Sequence, residues 1–309
     1  MNPEEITRPI MWNVGTFTKI AMYTLLVVSS AIFLYGFWLR FRIWRRGRTD
    51  VARPGDASEY TFAARAGRVA RHVLAQVRIA RLPIAYASHI TIFYGFIVLF
   101  IGTVLVAIEH YHIAHFFYGD FYRVASFLLD LFGLGFVAAL LLAVARRGGI
   151  SRVIPSSKPI DAVILWLLIV IGVTGFLVEG LRIAALEPPF ERVSFVGWSL
   201  ASVFDAAGGT PAAATSAHFA LWWVHMVLVF VWIAMIPYTK LLHLFVAPYH
   251  VASTPEHRSG RLTPISMEEV EETGVVGLAK IEEFSFERLV SYDACTHCRR
   301  CEPACPAFA

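Results

Sequence analysis

The sequence predicts an all-α membrane protein: a five-transmembrane-helix bundle followed by a polar cytoplasmic tail. Three observations carry this reading. Of 309 residues 57% are hydrophobic and only 16% charged, with a mean hydropathy of +0.60, whereas soluble chains average roughly 45–50% and about 25%. Five stretches reach the roughly 20 apolar residues that a helix needs to cross a bilayer. All four cysteines, Cys295, Cys298, Cys301 and Cys305, fall in the last fifteen residues. So tight a cluster excludes a secreted disulfide framework and points to metal.

The five stretches are Ile20–Leu39, Ile84–Ile108, Val124–Ala145, Ala162–Leu181 and Phe219–Ile236, the last continuing toward Val246. Backbone at bilayer depth must satisfy its own hydrogen bonds, and nothing here alternates as a barrel strand would, so helices are the reading. Arginine sets the orientation. Eleven arginines lie from Arg40 to Arg81 against Asp50, Asp56 and Glu59, and Arg146, Arg147, Arg152 and Lys158 follow the third span. The other two connections are acidic or balanced, so the N-terminus is expected outside a cell (inner) membrane and the C-terminal tail in the cytoplasm. The first span lacks a small-residue cleavage site and reads as an uncleaved anchor.

From Ser58 to Leu82 the first cytoplasmic loop has helical character, with Arg65, Arg68, Arg71, Arg78 and Arg81 interleaved with Phe62, Val69, Val73 and Val77. This suits a basic amphipathic helix on anionic headgroups, or arginines that face cofactor carboxylates or a docked partner.

His225 and His243 are eighteen residues apart, which on one continuous helix is about five turns and roughly 27 Å along one face. Histidine inside a span is a functional hypothesis by default. Two at opposite depths suit axial ligands of two stacked haems. The second span runs from inside to outside, which sets His89 level with His243. His110, with His112 and His115 just beyond, is level with His225. Depth matching pairs His89 with His243 at an inner haem and His110 with His225 at an outer one. His110 lies about 60° off the face of His89, and His218 is its rival. Snorkelling or capping is the other reading of an interfacial histidine.

The string from His225 to Pro248, with Pro237-Tyr-Thr-Lys-Leu-Leu-His243-Leu-Phe, resembles the last helix of the respiratory nitrate reductase gamma subunit family. Ser88-His89-Ile90 matches the start of that family's second helix. The resemblance implies five spans, b-type haem held from the second and fifth helices, and a quinol site near the outer haem. It departs at Leu99, where the family has its second histidine, so one or two haems b are expected.

Cys295-Thr-His-Cys298-Arg-Arg-Cys301-Glu-Pro-Ala-Cys305-Pro306 is the bacterial ferredoxin spacing, C-x2-C-x2-C-x3-C-P, which wraps a [4Fe-4S] cluster. Zinc also takes four cysteines, but four in eleven residues followed by proline is the pattern of the cluster. His297 reads as a neighbour and not a ligand. In two-cluster ferredoxins the fourth cysteine serves the other cluster. Either Cys305 completes a single cluster, or the chain is the front of a longer polypeptide, with truncation or a completing partner expected. The tail from Lys240 has seven basic and ten acidic residues, and a short helix is expected at Ser285–Ser291. Gly277-Leu-Ala-Lys280-Ile-Glu-Glu-Phe, then Asp293-Ala-Cys295-Thr, resembles the membrane-bound iron–sulfur reductases related to heterodisulfide reductase, including the electron-transfer-flavoprotein:menaquinone oxidoreductase type. Residues 1–248 are thus expected to form a nitrate-reductase-gamma-like haem b domain. Residues 249–309 would form a linker and the start of a ferredoxin-like domain.

No dinucleotide fingerprint or phosphate loop is present, so the expected chemistry is electron transfer between the quinone pool, menaquinone included, and a soluble cytoplasmic redox protein. An electron-transfer flavoprotein or a component of a disulfide reductase fits that partner; nucleic acid does not. Quinone chemistry also moves protons, and Glu109, Asp130 and Glu179 lie in the outer halves of their spans as candidate quinone-side groups. Pairing with Arg123 or Arg182 as structural glue is their other reading. Two other classes stay open: an anchor subunit of a separate disulfide reductase without its own quinone site, and an iron–sulfur sensor without haem.

Overall fold

The computed structural model describes residues 3–49, 60–147, 158–254, 267–274, 278, 280–296, 298, 301 and 305. Asp50, Asp56, Glu59, Arg152 and His297 lie outside the described residues. Helix dominates because apolar runs of this length leave the backbone no partner but itself. Among the described residues the helices are α1 (Thr16–Trp44), α2 (Phe62–Val69), α3 (Pro83–His110), α4 (Gly119–Ala145) and α5 (Pro159–Leu186), then α6 (Phe195–Ala206), α7 (Pro211–Met235), α8 (His243–Ser253), α9 (Met267–Thr273) and α10 (Phe286–Asp293). The described residues contain no named strand. Prolines open α3 and α5 at the first turn, where the missing N–H costs nothing. Ser285 caps α10 by accepting from Arg288 N at 3.2 Å.

Among the described residues five helices are long and apolar enough to cross a membrane: α1, α3, α4, α5 and Pro211–Tyr238, the last including the turn after α7. Each outruns its apolar stretch, since amphipathic residues extend a helix through the interface. Arg42, for example, stacks over the Trp38 ring at 4.7 Å.

One expectation is corrected. His225 and His243 do not share a helix. α7 stops at Met235, and two 3-10 turns follow at Ile236–Tyr238 and Lys240–Leu242 before α8 begins at His243. Pro237 has no N–H and its ring opposes a continuing α ladder. Thr239 is extended, and its hydroxyl accepts from Leu241 N at 3.3 Å. The single-face argument therefore does not apply to this pair. α6 is a second departure, a 12-residue helix in the connection before the fifth span.

The chain divides into two compact units. The first comprises residues 1–29 and 82–233. Its α3 and α4 meet closely because a Cβ at Gly102 would stand 2.4 Å from Leu129 Cδ2, and one at Gly95 2.8 Å from Phe136 Cβ. Small residues drive such approaches in membranes, where hydrophobicity does not discriminate between lipid and protein. Phe136, Leu140 and Ile169 form a buried core between α4 and α5, with Leu99 of α3 against it. The N-terminal segment seals one end: Ile6 packs with Phe117 and Tyr122, Gly119 N donates to Ile6 O at 2.9 Å, and Thr7 Oγ1 donates to Phe117 O at 2.6 Å.

The second unit comprises residues 30–81 and 234–309. Its core joins Trp44 to Leu242 and Val246 of α8 and to Leu289 and Val290 of α10. A backbone bridge flanks it, with Arg48 N donating to Phe284 O at 2.8 Å and Phe286 N to Arg48 O at 3.0 Å. Gly47 is required there, because a Cβ would lie 2.8 Å from Phe286 N. Asp293 accepts from Trp44 Nε1 at 2.7 Å and from Arg40 Nη1 at 3.4 Å. Helix is also present in the basic loop, where Arg68 donates through Nε and Nη2 to the carbonyls of Val251 and Ala252 at the end of α8.

Asp293→Ala leaves the buried Trp44 indole N–H without its acceptor, at a cost of about 1–3 kcal/mol. The expected result is faster hydrogen exchange across residues 286–293, with Asp293→Asn, which keeps an acceptor, close to wild type.

Candidate functional site

An imidazole that ligates iron through Nε2 directs its Nδ1–H to a fixed acceptor. His225 and His243 both have that arrangement. His225 Nδ1 lies 2.9 Å from Thr174 Oγ1, and that hydroxyl donates to Val170 O at 2.7 Å, so the imidazole donates and Nε2 keeps its lone pair. Gly175 lets the ring lie against α5, since a Cβ there would be 3.3 Å from His225 Cε1. His243 Nδ1 faces the Lys240 carbonyl at 2.5 Å, which can only accept. Burial pushes the His243 pKa below the ordinary histidine value, against the opposing pull of that carbonyl, so the ring is neutral, the form that binds metal. On donor chemistry both histidines fit a haem iron.

The remaining predicted histidines stand differently. His89, half-buried in the second turn of α3, belongs to the first unit and His243 to the second. His110 is engaged by Tyr23, Oη to Nε2 at 3.4 Å, and stands edge-on to Tyr111. His218 is two turns before His225 on the same face of α7, about 10 Å away along the axis. Two rings leaving one face that far apart cannot meet at one iron. Leu99 lies in the apolar core, 3.6 Å from the position of a Cβ at Gly133.

The three acids also separate. Glu109 fixes a loop: its Oε2 accepts from Phe116 N at 3.0 Å and Phe117 N at 3.1 Å, and Oε1 pairs with His115 Nδ1. Asp130 and Glu179, by contrast, both meet the first turn of α6 at Gly197. Asp130 Oδ2 accepts from Val196 N at 2.6 Å and Gly197 N at 3.4 Å. Gly197 makes room, because a Cβ there would be 2.8 Å from Glu179 Cγ.

Beside this pair is an ion pair that the sequence reading did not single out. Arg182 Nη1 donates to Glu191 Oε1 at 2.6 Å, Tyr122 Oη donates to the same oxygen at 2.5 Å, and Ser194 Oγ donates to Glu191 Oε2 at 3.2 Å. Glu191 is fully buried. Burial alone would raise its pKa, but the Arg182 guanidinium and the two hydroxyl donors outweigh that and hold it below the usual carboxylate range. Arg182 Nη2 is 4.0 Å from Glu179 Oε1. The signal was an intraspan arginine nine residues before a glutamate, but spacing alone cannot say that the chain turns back between them. On the same unit, Arg123, Val124, Phe127, Arg192, Val193 and Phe195 line part of a groove of about 500 Å3.

Cys295 follows α10 directly, its N–H donating to Tyr292 O at 3.2 Å. All four cysteines are exposed free thiols, a donor set that suits an iron–sulfur cluster. Among the described residues no three His, Cys, Asp or Glu side chains are gathered closely enough to hold a metal.

Residues 90–257, more than half of the chain, match the family described as nitrate reductase gamma subunit. The chain belongs to that family. With its five apolar helices, it is a multi-pass membrane protein. It is similar to the protein named EtfAB:quinone oxidoreductase of Syntrophomonas wolfei, at 29% identity over 93% of this chain and 40% of the relative. "Probable iron-sulfur-binding oxidoreductase FadF" of Bacillus subtilis is 24% identical over 95% of this chain and 41% of the relative. One subunit of the dihydromethanophenazine:CoB–CoM heterodisulfide reductase of Methanosarcina barkeri is 26% identical over 75% of this chain and 90% of the relative. The chain thus spans about two fifths of the length of the first two relatives. No solved structure gives a significant match.

Two predictions concern the buried ion pair and its neighbour. Glu191 has a lowered folded-state pKa, so its stabilisation is complete above the ordinary glutamate value of about 4.3 and is lost as pH falls through the folded value. Thermal midpoints in detergent should therefore fall as pH drops below about 4.3, and that slope should flatten in Glu191→Gln, which is itself about 3–5 kcal/mol less stable for leaving Arg182 buried and unpaired. Gly197→Val should drive a side chain into Glu179, destabilising by about 1–3 kcal/mol, readable in the same melts at neutral pH.

Proposed function

We propose that the chain is the membrane electron-transfer part of a quinone-linked oxidoreductase. It would pass electrons between the quinone pool and a soluble cytoplasmic redox partner through b-type haem and a [4Fe-4S] cluster. The observation that carries this reading is the state of the two histidines: His225 and His243 each commit Nδ1–H to an internal acceptor and keep Nε2 as a ligand. Family membership and the names of the relatives support it. The partner is then an electron-transfer flavoprotein, with menaquinone as the membrane substrate.

Haem and the cluster, when bound, supply one-electron transfer, a chemistry that side chains lack. The chain's own residues hold and orient. His225 and His243 are proposed ligands, with His89 the proposed partner of His243 by sequence register and His110 the weakest candidate, its Nε2 being engaged by Tyr23. Cys295, Cys298, Cys301 and Cys305 are the proposed cluster ligands. Asp130 and Glu179, which both meet Gly197, are the proposed proton-carrying groups for a substrate whose oxygens exchange protons as its redox state changes. Glu109, already engaged by two backbone donors and His115, is a weaker candidate for that role. The arginine-rich connections support an outside N-terminus and a cytoplasmic tail.

A second reading rests on one comparison. The chain covers 90% of the matched component of a heterodisulfide reductase, which supports an anchor for a separate disulfide reductase, without a quinone site. Quinol-driven haem reduction in the purified chain separates the two: its absence favours the anchor.

A reduced-minus-oxidised spectrum tests the ligand assignment. Wild type is expected to have a b-type α-band, which His225→Ala and His243→Ala each reduce. An α-band that survives both substitutions would sink the assignment. Cys298→Ser should abolish the electron paramagnetic resonance signal of the reduced cluster.

A further inference from the structure

We propose that the groove between α4 and the start of α6 binds one anionic phospholipid, its phosphodiester held by Arg123 and Arg192 and an acyl chain lying along α4. The site is independent of haem and quinone. The groove, of about 500 Å3, has Val124, Phe127 and Leu128 of α4 on one side and Phe195 of α6 on the other, and each side contributes one arginine. Its two sides meet where the Phe127 and Phe195 rings stand 5.9 Å apart. Arg123 is the last charged residue before the apolar run of α4. From Val124 to Ala145 the only ionisable side chain is Asp130, and that one is buried. The two arginines therefore stand at the level where the helix surface turns from polar to hydrocarbon. Beyond them Val124, Phe127, Leu128 and Leu131 are all exposed, and their i, i+3, i+4, i+7 spacing makes them one apolar stripe about 10 Å long.

Both guanidinium groups are positioned without being used up. Arg123 Nη1 donates to Asp120 Oδ1 at 3.1 Å, which engages one of the five N–H donors that an arginine carries. The Asp120 side chain is 92% exposed, so water screens that pair. Arg192 stands over the Trp198 ring at 5.4 Å, and a cation–π contact uses none of its donors. Two guanidinium groups against the carboxylate of Asp120 leave one positive charge, which a phosphodiester monoanion neutralises. Arginine suits that partner because its planar fork matches phosphate oxygens. A zwitterionic headgroup brings its own ammonium and gains less. A free phosphate would satisfy the arginines but leave the apolar groove and stripe unmatched, whereas a phospholipid matches both. Bridging Arg123 to Arg192 also ties α4 to the first turn of α6, where Val196 N and Gly197 N bind Asp130, so the bound lipid stabilises that seating.

The test is native mass spectrometry of the full chain in detergent, titrated with phosphatidylglycerol or phosphatidylcholine, with thermal midpoints read in parallel. Wild type should retain phosphatidylglycerol in preference to phosphatidylcholine and melt higher in its presence. Arg123→Gln and Arg192→Gln should each weaken one phosphatidylglycerol equivalent about tenfold, the worth of one lost charge-assisted bond, and leave phosphatidylcholine binding unchanged. Leu128→Trp, which keeps both arginines and fills the groove, should weaken the same equivalent and abolish the gain in midpoint. Equal retention of the two lipids by wild type overturns the site, since that is a non-selective lipid belt. Phosphatidylglycerol binding that stays at the wild-type level in both arginine variants overturns it as well, and in Leu128→Trp it would show that charge acts without the groove, which refutes the proposed seat. Should Arg192→Gln aggregate for loss of its contact with Trp198, Arg123→Gln and Leu128→Trp decide.

Discussion

Opposite charges 2.6 Å apart and almost sealed from solvent, Arg182 and Glu191, set the terms for one end of the first unit. Neither can be buried alone without a cost of several kcal/mol. The short 3-10 segment Pro189–Val193 therefore has to fold back against α5, and Tyr122 and Ser194 must point at the same carboxylate. That return delivers the first turn of α6 to Asp130, whose carboxylate takes two of its backbone N–H groups. Glu179 then fits only because residue 197 is glycine. The seating of α6 on Asp130 depends on this one salt bridge.

The bundle was legible in the sequence because spanning length and apolarity are local properties, and all five stretches fall within the observed helices Thr16–Trp44, Pro83–His110, Gly119–Ala145, Pro159–Leu186 and Pro211–Tyr238. Only the extension of the last stretch to Val246 failed. There the pattern stayed apolar through Leu241, Leu242 and Val246, and hydrophobicity outweighed the backbone signal of Pro237. α6 escaped notice for the opposite reason: twelve residues are too few to span, and it is held by close contacts such as Gly180 on Leu200. The histidines were found by type. Their acceptors were not, because Thr174 is one of many span threonines until α5 and α7 are placed together. Asp130 and Glu179 were named from depth alone; their meeting at Gly197 is tertiary.

The arginines of the first connection teach a similar caution. They read as an orientation signal, which depends only on number and sign. In the second unit some of them also have fixed partners: Arg40 on Asp293, and Arg68 on the last carbonyls of α8, where a cation answers the negative end of the helix. The positions that orient a span can thus also tie the tail to it. Through Trp44 and Asp293 the end of α1 holds α10, and Cys295 begins two residues later. The cysteine run starts from an anchored helix.

Leu99 lies in an apolar layer of the first unit. A histidine at 99 would bring an imidazole into the layer of Phe136, Leu140 and Ile169, where nothing but a bound iron would satisfy it. Leucine closes that layer with apolar contacts, and His225 instead lies against α5, donating to Thr174. The unsatisfied hydrogen-bonding capacity of this unit has not vanished. Among the described residues part of it is found at His218 Nδ1 and Trp232 Nε1 on α7 and at Arg182 Nη2 on α5. A membrane interior tolerates such atoms only where something polar meets them. Leu99 and Thr174 thus do different things in one unit: one keeps its layer apolar, the other holds the His225 imidazole.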